Sequence, residues 1–171
     1  MKKTFCFSLM AIVFVMAMMF NAFAMDLDRY EKIARQTIEQ IDSGKVDVDQ
    51  MMADQEELVK LGVAGCREYA AAEPDKAKMM NIVADNGDKM KSLTLEEIEN
   101  KWHEGGVLKE NGIDISAFDH FDKAMCYSEM VVHPATVCIC LNEYKKTGDK
   151  AHLDQAKAEL SEVVEHVKYV R

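Results

Sequence analysis

The segment that decides the fold class reads LDRYEKIARQTIEQIDSG over residues 27–44. Its mainly apolar positions recur every three or four residues, which places them on one face of an α-helix. Gly44 follows the last of them, at a position where glycine commonly ends a helix. The segment therefore predicts an amphipathic helix, whose inward face comprises Leu27, Tyr30, Ile33, Ala34, Thr37, Ile38 and Ile41.

The same helical spacing continues along the chain. Thr94 and Glu97 have the pattern of a capping box, in which each side chain bonds the other residue's backbone N–H. Ser116 with Asp119 predicts a further helix start, whereas residues 107–115 lack the spacing and predict a loop. Helices are thus predicted over about 27–43, 48–72, 74–90, 95–104, 116–147 and 149–170.

Pro134 lies inside one of these predicted helices. Proline has no backbone N–H, and its ring clashes with the carbonyl four residues earlier, which here belongs to Met130. We therefore expect a kink or a break at this point. No segment alternates long enough to predict a strand. The sequence predicts an all-α fold, an up-and-down helical bundle of five to six amphipathic helices with one kinked at Pro134, in a single domain over residues 25–171.

The first 24 residues have the pattern of a cleavable secretory signal peptide. Two lysines at positions 2 and 3 precede an uncharged apolar run over residues 5–20, and residues 22–24 read Ala-Phe-Ala, a small-residue cleavage site. A retained membrane anchor is the alternative, but the run is shorter than the roughly 20 residues that span a bilayer. We expect an exported protein, periplasmic or extracellular, that begins at Met25.

The predicted mature chain is strongly acidic. Loss of the two signal lysines lowers the basic residues from 21 to 19, against 30 acidic residues, and the net charge becomes −11. This charge argues against nucleic acid and anionic membranes as partners. It is compatible with a metal ion, a small ligand or a protein partner. Because no further apolar run approaches membrane-spanning length, we expect no membrane partner after signal cleavage.

Several catalytic and cofactor signatures are absent from the sequence. Cys-x-x-Cys-His, which attaches c-type haem, does not occur, and neither do His-Glu-x-x-His and Cys-x-x-Cys, which mark zinc and redox sites. The nucleophile motif Gly-x-Ser-x-Gly is missing. The Glu-x-x-His motif of di-iron helical proteins is missing too. Catalysis therefore has no positive support in the sequence.

The sharpest constellation of possible ligands surrounds Pro134. Cys126, Met130, His133 and Cys140 lie on one helical face. Thiolate, thioether and imidazole suit copper(I), zinc or haem iron. We single out His133 with Met130, together with Cys126 and Cys140, as candidate ligands of copper or b-type haem. In the alternative interpretation the cysteines and methionine fill the core, and the histidine packs beside the proline.

Trp102 and His103 precede two glycines and form a second candidate site. Such a segment could be a mobile rim over a pocket. Alternatively, the tryptophan anchors a helix end in the core, the imidazole interacts with the helix dipole, and the glycines turn the chain.

The remaining histidines predict less. Asp119, His120 and Asp122 share one turn that could bind a cation, although acids are common in the first turn of a helix. His152 and His166 flank the apolar stripe of the last predicted helix, and we expect both to be solvated.

Four cysteines remain after signal cleavage, at positions 66, 126, 138 and 140. On a continuous helix Cys126 and Cys138 would lie about 18 Å apart, beyond the reach of a disulfide. Cys66 lies on another segment, so its bridge to Cys138 or Cys140 is the plausible disulfide in an oxidising compartment. The alternative is four free, buried thiols.

Together these patterns favour an exported helical binding or accessory protein whose ligand the sequence does not identify. A transition-metal or b-type haem protein that uses His133 and Met130 is the alternative. An enzyme with an unrecognised site ranks third.

Overall fold

A computed structural model describes residues 25–171, and every regular element within this range is a helix. The all-α prediction is confirmed for these residues. The predicted signal peptide lies outside them. Seven α-helices are present: α1 Leu27–Ser43, α2 Val48–Ala72, α3 Ala77–Met90, α4 Leu95–Ile98, α5 Gly106–Glu110, α6 Lys123–Thr147 and α7 Ala151–Val170. A π-helix, Glu99–His103, continues α4, and a 3-10 turn, Ile115–Ala117, precedes α6.

Polar side chains begin four of the helices. Asp26, Asp47 and Asp122 each accept a hydrogen bond from a backbone N–H in the first turn that follows them. The predicted capping box is present: the Glu97 N–H donates to Thr94 Oγ1 at 3.1 Å, and the Thr94 N–H donates to Glu97 Oε2 at 3.0 Å. These bonds satisfy N–H groups that have no partner within the helix.

Two predictions about the segment before α6 were wrong. The helix predicted from Ser116 begins only at Lys123, because Asp122 is the capping residue and Ser116 belongs to the 3-10 turn capped by Asp114. The loop predicted over residues 107–115 contains most of α5. A five-residue helix is too short to show a repeating apolar pattern.

Helix α6 lies at the centre of the fold and is covered from several sides. Helices α2, α3 and α7 pack against it, and α1 packs against α2 and α7. One apolar cluster joins α6 to α1, α2 and α7, and a second joins it to α3 and the π-helix. The residues between Ser128 and Leu141 are buried without exception.

By length and composition α6 could cross a membrane, which corrects our expectation that no further segment approaches that length. The most apolar 18-residue stretch of α6 has a mean hydropathy of 1.4, and 89% of this stretch is buried inside the protein. The core helix of a soluble protein passes the same test when other helices surround it. Burial by its neighbours therefore accounts for the apolar composition of α6.

Pro134 does not break α6, which is helical from Lys123 to Thr147. The Tyr30 hydroxyl of α1 donates a hydrogen bond of 2.5 Å to the Met130 carbonyl, and both residues are fully buried. Tyr30 thus supplies the donor that proline lacks. Helix α2 approaches the same carbonyl through Gly62, where any Cβ would overlap the oxygen.

The predicted disulfide between Cys66 and Cys138 or Cys140 is absent, and the four cysteines of the described residues are free and buried. The Cys66 thiol donates to the Tyr127 carbonyl at 3.3 Å, which places it beside the first half of α6. Cys138 lies eleven residues after Tyr127 on the same helix, about 16 Å away along the helix axis. A disulfide cannot cross that distance.

We expect Tyr30→Phe to lower the free energy of unfolding by about 1–3 kcal/mol, because the Met130 carbonyl loses its donor in a buried position. In a Pro134→Ala background the alanine N–H can bond this carbonyl, so the same substitution should cost less. Urea unfolding of the four proteins of this double-mutant cycle measures the difference. An equal cost in both backgrounds would contradict the pairing of Tyr30 with Pro134.

Candidate functional site

Ionisable side chains meet where the π-helix, α6 and α7 come together. Three imidazole rings lie in a row there: the centroids of His103 and His133 are 5.0 Å apart, and those of His133 and His166 are 5.5 Å apart. Carboxylates of Glu129, Glu159 and Glu162 lie within 4 Å of His133 nitrogens. We call these six residues the His/Glu cluster.

A repeated motif places these residues. A glutamate four positions before a histidine lies on the same helical face, one turn away. The shorter Glu-x-x-His motif, which the chain lacks, does not include this spacing, so the sequence interpretation missed it. Glu-x-x-x-His occurs three times, as Glu99–His103, Glu129–His133 and Glu162–His166.

The π-helix presents His103 to the cluster. Its wider turn is closed by the Glu104 N–H, which donates to the Glu99 carbonyl at 2.9 Å. Single π-turns of this kind are often found at functional sites. Gly105 then adopts a left-handed conformation, with φ of 71°, and ends the turn. This local geometry, rather than an apolar stripe, directs the imidazole toward α6.

The hydrogen bonds of Thr136 assign the tautomer of His103. The Thr136 hydroxyl donates its one proton to the Val132 carbonyl at 3.0 Å. Toward His103 Nε2, 3.0 Å away, it can therefore only accept, so that nitrogen carries the ring proton. His103 Nδ1 is then a free acceptor, 3.7 Å from Glu129 Oε2.

Glu159 assigns the tautomer of His133 by a hydrogen bond to one of its ring nitrogens. Its Oε2 lies 2.6 Å from His133 Nδ1, where an ionised carboxylate accepts the ring proton. His133 Nε2 is then a free acceptor that faces two more carboxylates. It lies 3.4 Å from Glu129 Oε2 and 3.6 Å from Glu162 Oε2.

The cluster therefore brings buried acceptors together, and no donor lies between them when Glu129 is ionised. Among residues 25–171, Glu129 Oε2 has no hydrogen-bond partner, and neither ring nitrogen of His166 has one. A buried polar atom left without a partner costs about 1–3 kcal/mol. His103, Glu129 and His133 each offer one potential ligand atom, and these three atoms lie within 4.8 Å of one another.

Burial opposes charge on Glu129 and on the three histidines of the cluster. Burial, together with the neighbouring Glu159 and Glu162 carboxylates, raises the pKa of Glu129 to about 8. Burial also lowers the pKa values of His133 and His166 to about 4 and lowers that of His103. In the absence of a cation each of these groups is therefore driven toward its neutral form.

Of the ligands predicted from sequence, the structure brings only His133 into this cluster. Met130, Cys126 and Cys140 lie in the apolar cluster with α1 and α7. No potential ligand group found among the described residues contains a cysteine. Burial raises the pKa of the Cys126 thiol to about 11 and that of Cys140 to about 12, which keeps both protonated and disfavours metal binding.

The other histidine predictions have mixed outcomes. Trp102 is buried in the core beside the cluster, whereas His103 is one of the converging residues. His166 was predicted to be solvated, and this was wrong, since only 1% of its surface is exposed. His120 is exposed, and its ring centroid lies 5.1 Å from that of His166. Asp119, predicted with it as a cation ligand, accepts the N–H of a neighbouring residue.

No family model matches the chain, and no curated protein or solved structure matches it either. The function of the cluster is therefore inferred from its own geometry and chemistry.

We expect the metal-free protein to be most stable near pH 6.5. The folded pKa of Glu129 lies above its unfolded value of about 4.3, so its stabilising contribution is lost as the pH rises toward 8. His133 and His166 have folded pKa values below their unfolded value of about 6.5. The stabilising contribution of these two histidines is therefore lost as the pH falls toward 4.

Glu129→Gln should remove the loss above pH 6.5, which is at most about 1.4 kcal/mol per pH unit for one group. It should also steepen the loss toward acid pH, because between about pH 4.3 and 6.5 the contribution of Glu129 opposes that of the histidines. Urea unfolding of chelator-treated protein between pH 5 and 9 measures how the free energy of unfolding changes on the acid limb and the alkaline limb, below and above its maximum. Glu39→Gln, at an exposed position of α1, is the matched control. Identical alkaline limbs for wild type and Glu129→Gln would show that the buried carboxyl is already ionised.

Proposed function

We propose that the protein binds a divalent transition-metal ion between His103, Glu129 and His133. One observation carries the proposal: when Glu129 is ionised, His103 Nδ1, His133 Nε2 and Glu129 Oε2 are three neighbouring acceptors with no proton donor among them. A cation at this point would satisfy all three atoms at once. It would also offset the cost of burying an ionised Glu129.

The distances suit a small ion. Bonds of about 2.0–2.2 Å in a tetrahedral site place the ligand atoms about 3.3 Å from one another. The two distances from Glu129 Oε2, 3.4 Å to His133 Nε2 and 3.7 Å to His103 Nδ1, require shifts of only a few tenths of an ångström. Three protein ligands leave a fourth position for water or for another carboxylate.

Groups behind the ligands support the same interpretation. Metal-bound histidines commonly donate their second ring N–H to a carboxylate or another acceptor, which fixes the tautomer. Glu159 plays this part for His133, and Thr136 plays it for His103. Both histidines therefore offer an unprotonated nitrogen beside the Glu129 carboxylate before any ion binds.

The donor set narrows the choice of ion. Two imidazoles and a carboxylate suit zinc, iron(II) or nickel better than copper(I), which prefers sulfur. We therefore favour His103 and Glu129, rather than Met130, as the partners of His133. The side chains of the three proposed ligands are between 4% and 15% exposed, so the ion would be shielded from bulk solvent. Shielding of this degree supports a binding or accessory role over catalysis.

We place this metal protein outside the cytoplasm and take its helices to form an up-and-down bundle. Support for export comes from the signal-peptide pattern of residues 1–24. Support for the bundle comes from the side-by-side packing of α6 with α2, α3 and α7. The acidic composition attracts cations, which favours their capture at low concentration.

We expect chelator-treated protein to bind one Zn²⁺ per chain in isothermal titration calorimetry. Removal of one ligand by His103→Ala or Glu129→Gln should weaken binding by at least about 10–100-fold, the loss that even an outer-shell partner of a metal ligand produces. His152→Ala removes a histidine outside the cluster and should leave the affinity unchanged. Absence of stoichiometric binding by the wild-type protein would refute the proposal.

Met130→Leu distinguishes the two ligand sets, because leucine keeps the volume and removes the sulfur. We expect unchanged Zn²⁺ affinity, since Met130 contributes only packing and its backbone carbonyl. A large loss of affinity with an unchanged helical circular dichroism spectrum would favour the sulfur-containing set instead.

A further inference from the structure

A second group of potential ligands shares His133 with the first. His133, Glu162 and His166 each offer one ligand atom within 4.8 Å of the others. His166 is buried to 99% without a hydrogen-bond partner for either nitrogen among the described residues, as expected for a ligand whose ion is the missing partner. The Glu162 side chain, by contrast, is 58% exposed. This group thus extends from the protein interior to solvent.

One atom links the two groups. His133 Nε2 lies 3.4 Å from the carboxylate oxygen of Glu129 on one side and 3.6 Å from that of Glu162 on the other. A single imidazole nitrogen has one lone pair and binds one ion at a time. The two positions therefore exclude each other, and they are adjacent places for one ion.

We propose that His133, Glu162 and His166 form an outer position through which the metal ion enters and leaves the inner position; this inference rests on the proposed function. The ion first binds at the outer position, where Glu162 meets solvent. It then exchanges Glu162 and His166 for Glu129 and His103 while it stays bound to His133 Nε2. No step releases a bare ion into the protein interior, which would be costly.

The surroundings fit an entry route. Beyond His166, the row of imidazoles continues to His120, which is exposed on the segment before α6. The adjacent Phe121 stacks on Tyr169 of α7, with ring centroids 4.1 Å apart, and both rings are exposed. In contrast, the inner ligands His103 and Glu129 have side chains only 15% and 10% exposed. The solvent-facing end of the two groups is therefore the Glu162 end.

An entry position has a kinetic signature that an ordinary ligand lacks. Loading and release pass through the same intermediate, so loss of the entry position raises the barrier for both directions equally. The equilibrium affinity then stays nearly constant. Loss of an ordinary ligand instead destabilises the bound state, so it accelerates release and weakens binding.

The test uses Glu162→Gln, because this carboxylate is exposed and its loss does not threaten folding. Glu165→Gln is the matched control, since it removes the same charge from a side chain of the same helix that is 44% exposed. Zn²⁺ loading can be followed by stopped-flow fluorescence of Trp102, the single tryptophan of the chain and the neighbour of His103. Release is followed by transfer of Zn²⁺ to excess chelator.

We expect Glu162→Gln to slow loading and release by about tenfold each, with the dissociation constant changed by less than about threefold. Glu165→Gln should leave both rates unchanged. His166→Gln should reproduce the effect of Glu162→Gln. Faster release with unchanged loading would overturn the inference, because Glu162 would then be an ordinary ligand. Two Zn²⁺ ions per wild-type chain would also overturn it, because the positions would not exclude each other.

Failure of the proposed function gives a different result. If wild-type protein takes up no stoichiometric Zn²⁺, both the inner site and its entry position are refuted. If wild type binds one Zn²⁺ and Glu162→Gln loads and releases it at the wild-type rates, the inner site stands and the outer position is refuted.

Discussion

Pro134 removes one backbone donor from the middle of the most buried helix, and the Met130 carbonyl must find its hydrogen bond on another element. Tyr30 supplies that bond from α1, and Gly62 lets α2 approach the same oxygen. A defect in one helix thereby specifies how two others pack. Because an unpaired carbonyl is costly only where it is buried, the requirement is strongest at the centre of α6.

The turn of α6 that is anchored in this way also carries the candidate site. Met130 faces α1 and α2, whereas Glu129 and His133, one residue before it and three after it, face the π-helix and α7. The anchor holds the turn that carries two of the three proposed inner ligands. Precise positioning matters here, since metal ligands must be held within a few tenths of an ångström. The Met130 carbonyl, which Pro134 leaves without a donor in its own helix, and the candidate site therefore lie on different faces of the same turn of α6.

Helical periodicity predicted the parts of this structure that depend on a single buried stripe. The bounds of α2, the end of α1 at Gly44 and the capping box of Thr94 all follow from local rules, and each is present. Periodicity did not predict burial where other segments cover a helix outside its apolar stripe. His166 flanks the apolar stripe of α7, but His133 and the segment carrying His120 and Phe121 cover it from the side. The sequence of α7 alone therefore cannot predict that His166 is buried.

The site itself was predictable only in part, for a related reason. The helical spacing around Pro134 identified His133, but it selected partners by their place on one helix, and those partners are core residues. The repeated Glu-x-x-x-His motif was a local signal for the remaining ligands, yet only the fold shows that its three copies meet. Ligands from the π-helix, α6 and α7 come together only in the native state. An ion bound by them as proposed would have no equivalent site in the unfolded chain, so its binding free energy would add to the stability of the fold and compensate for the buried acceptors.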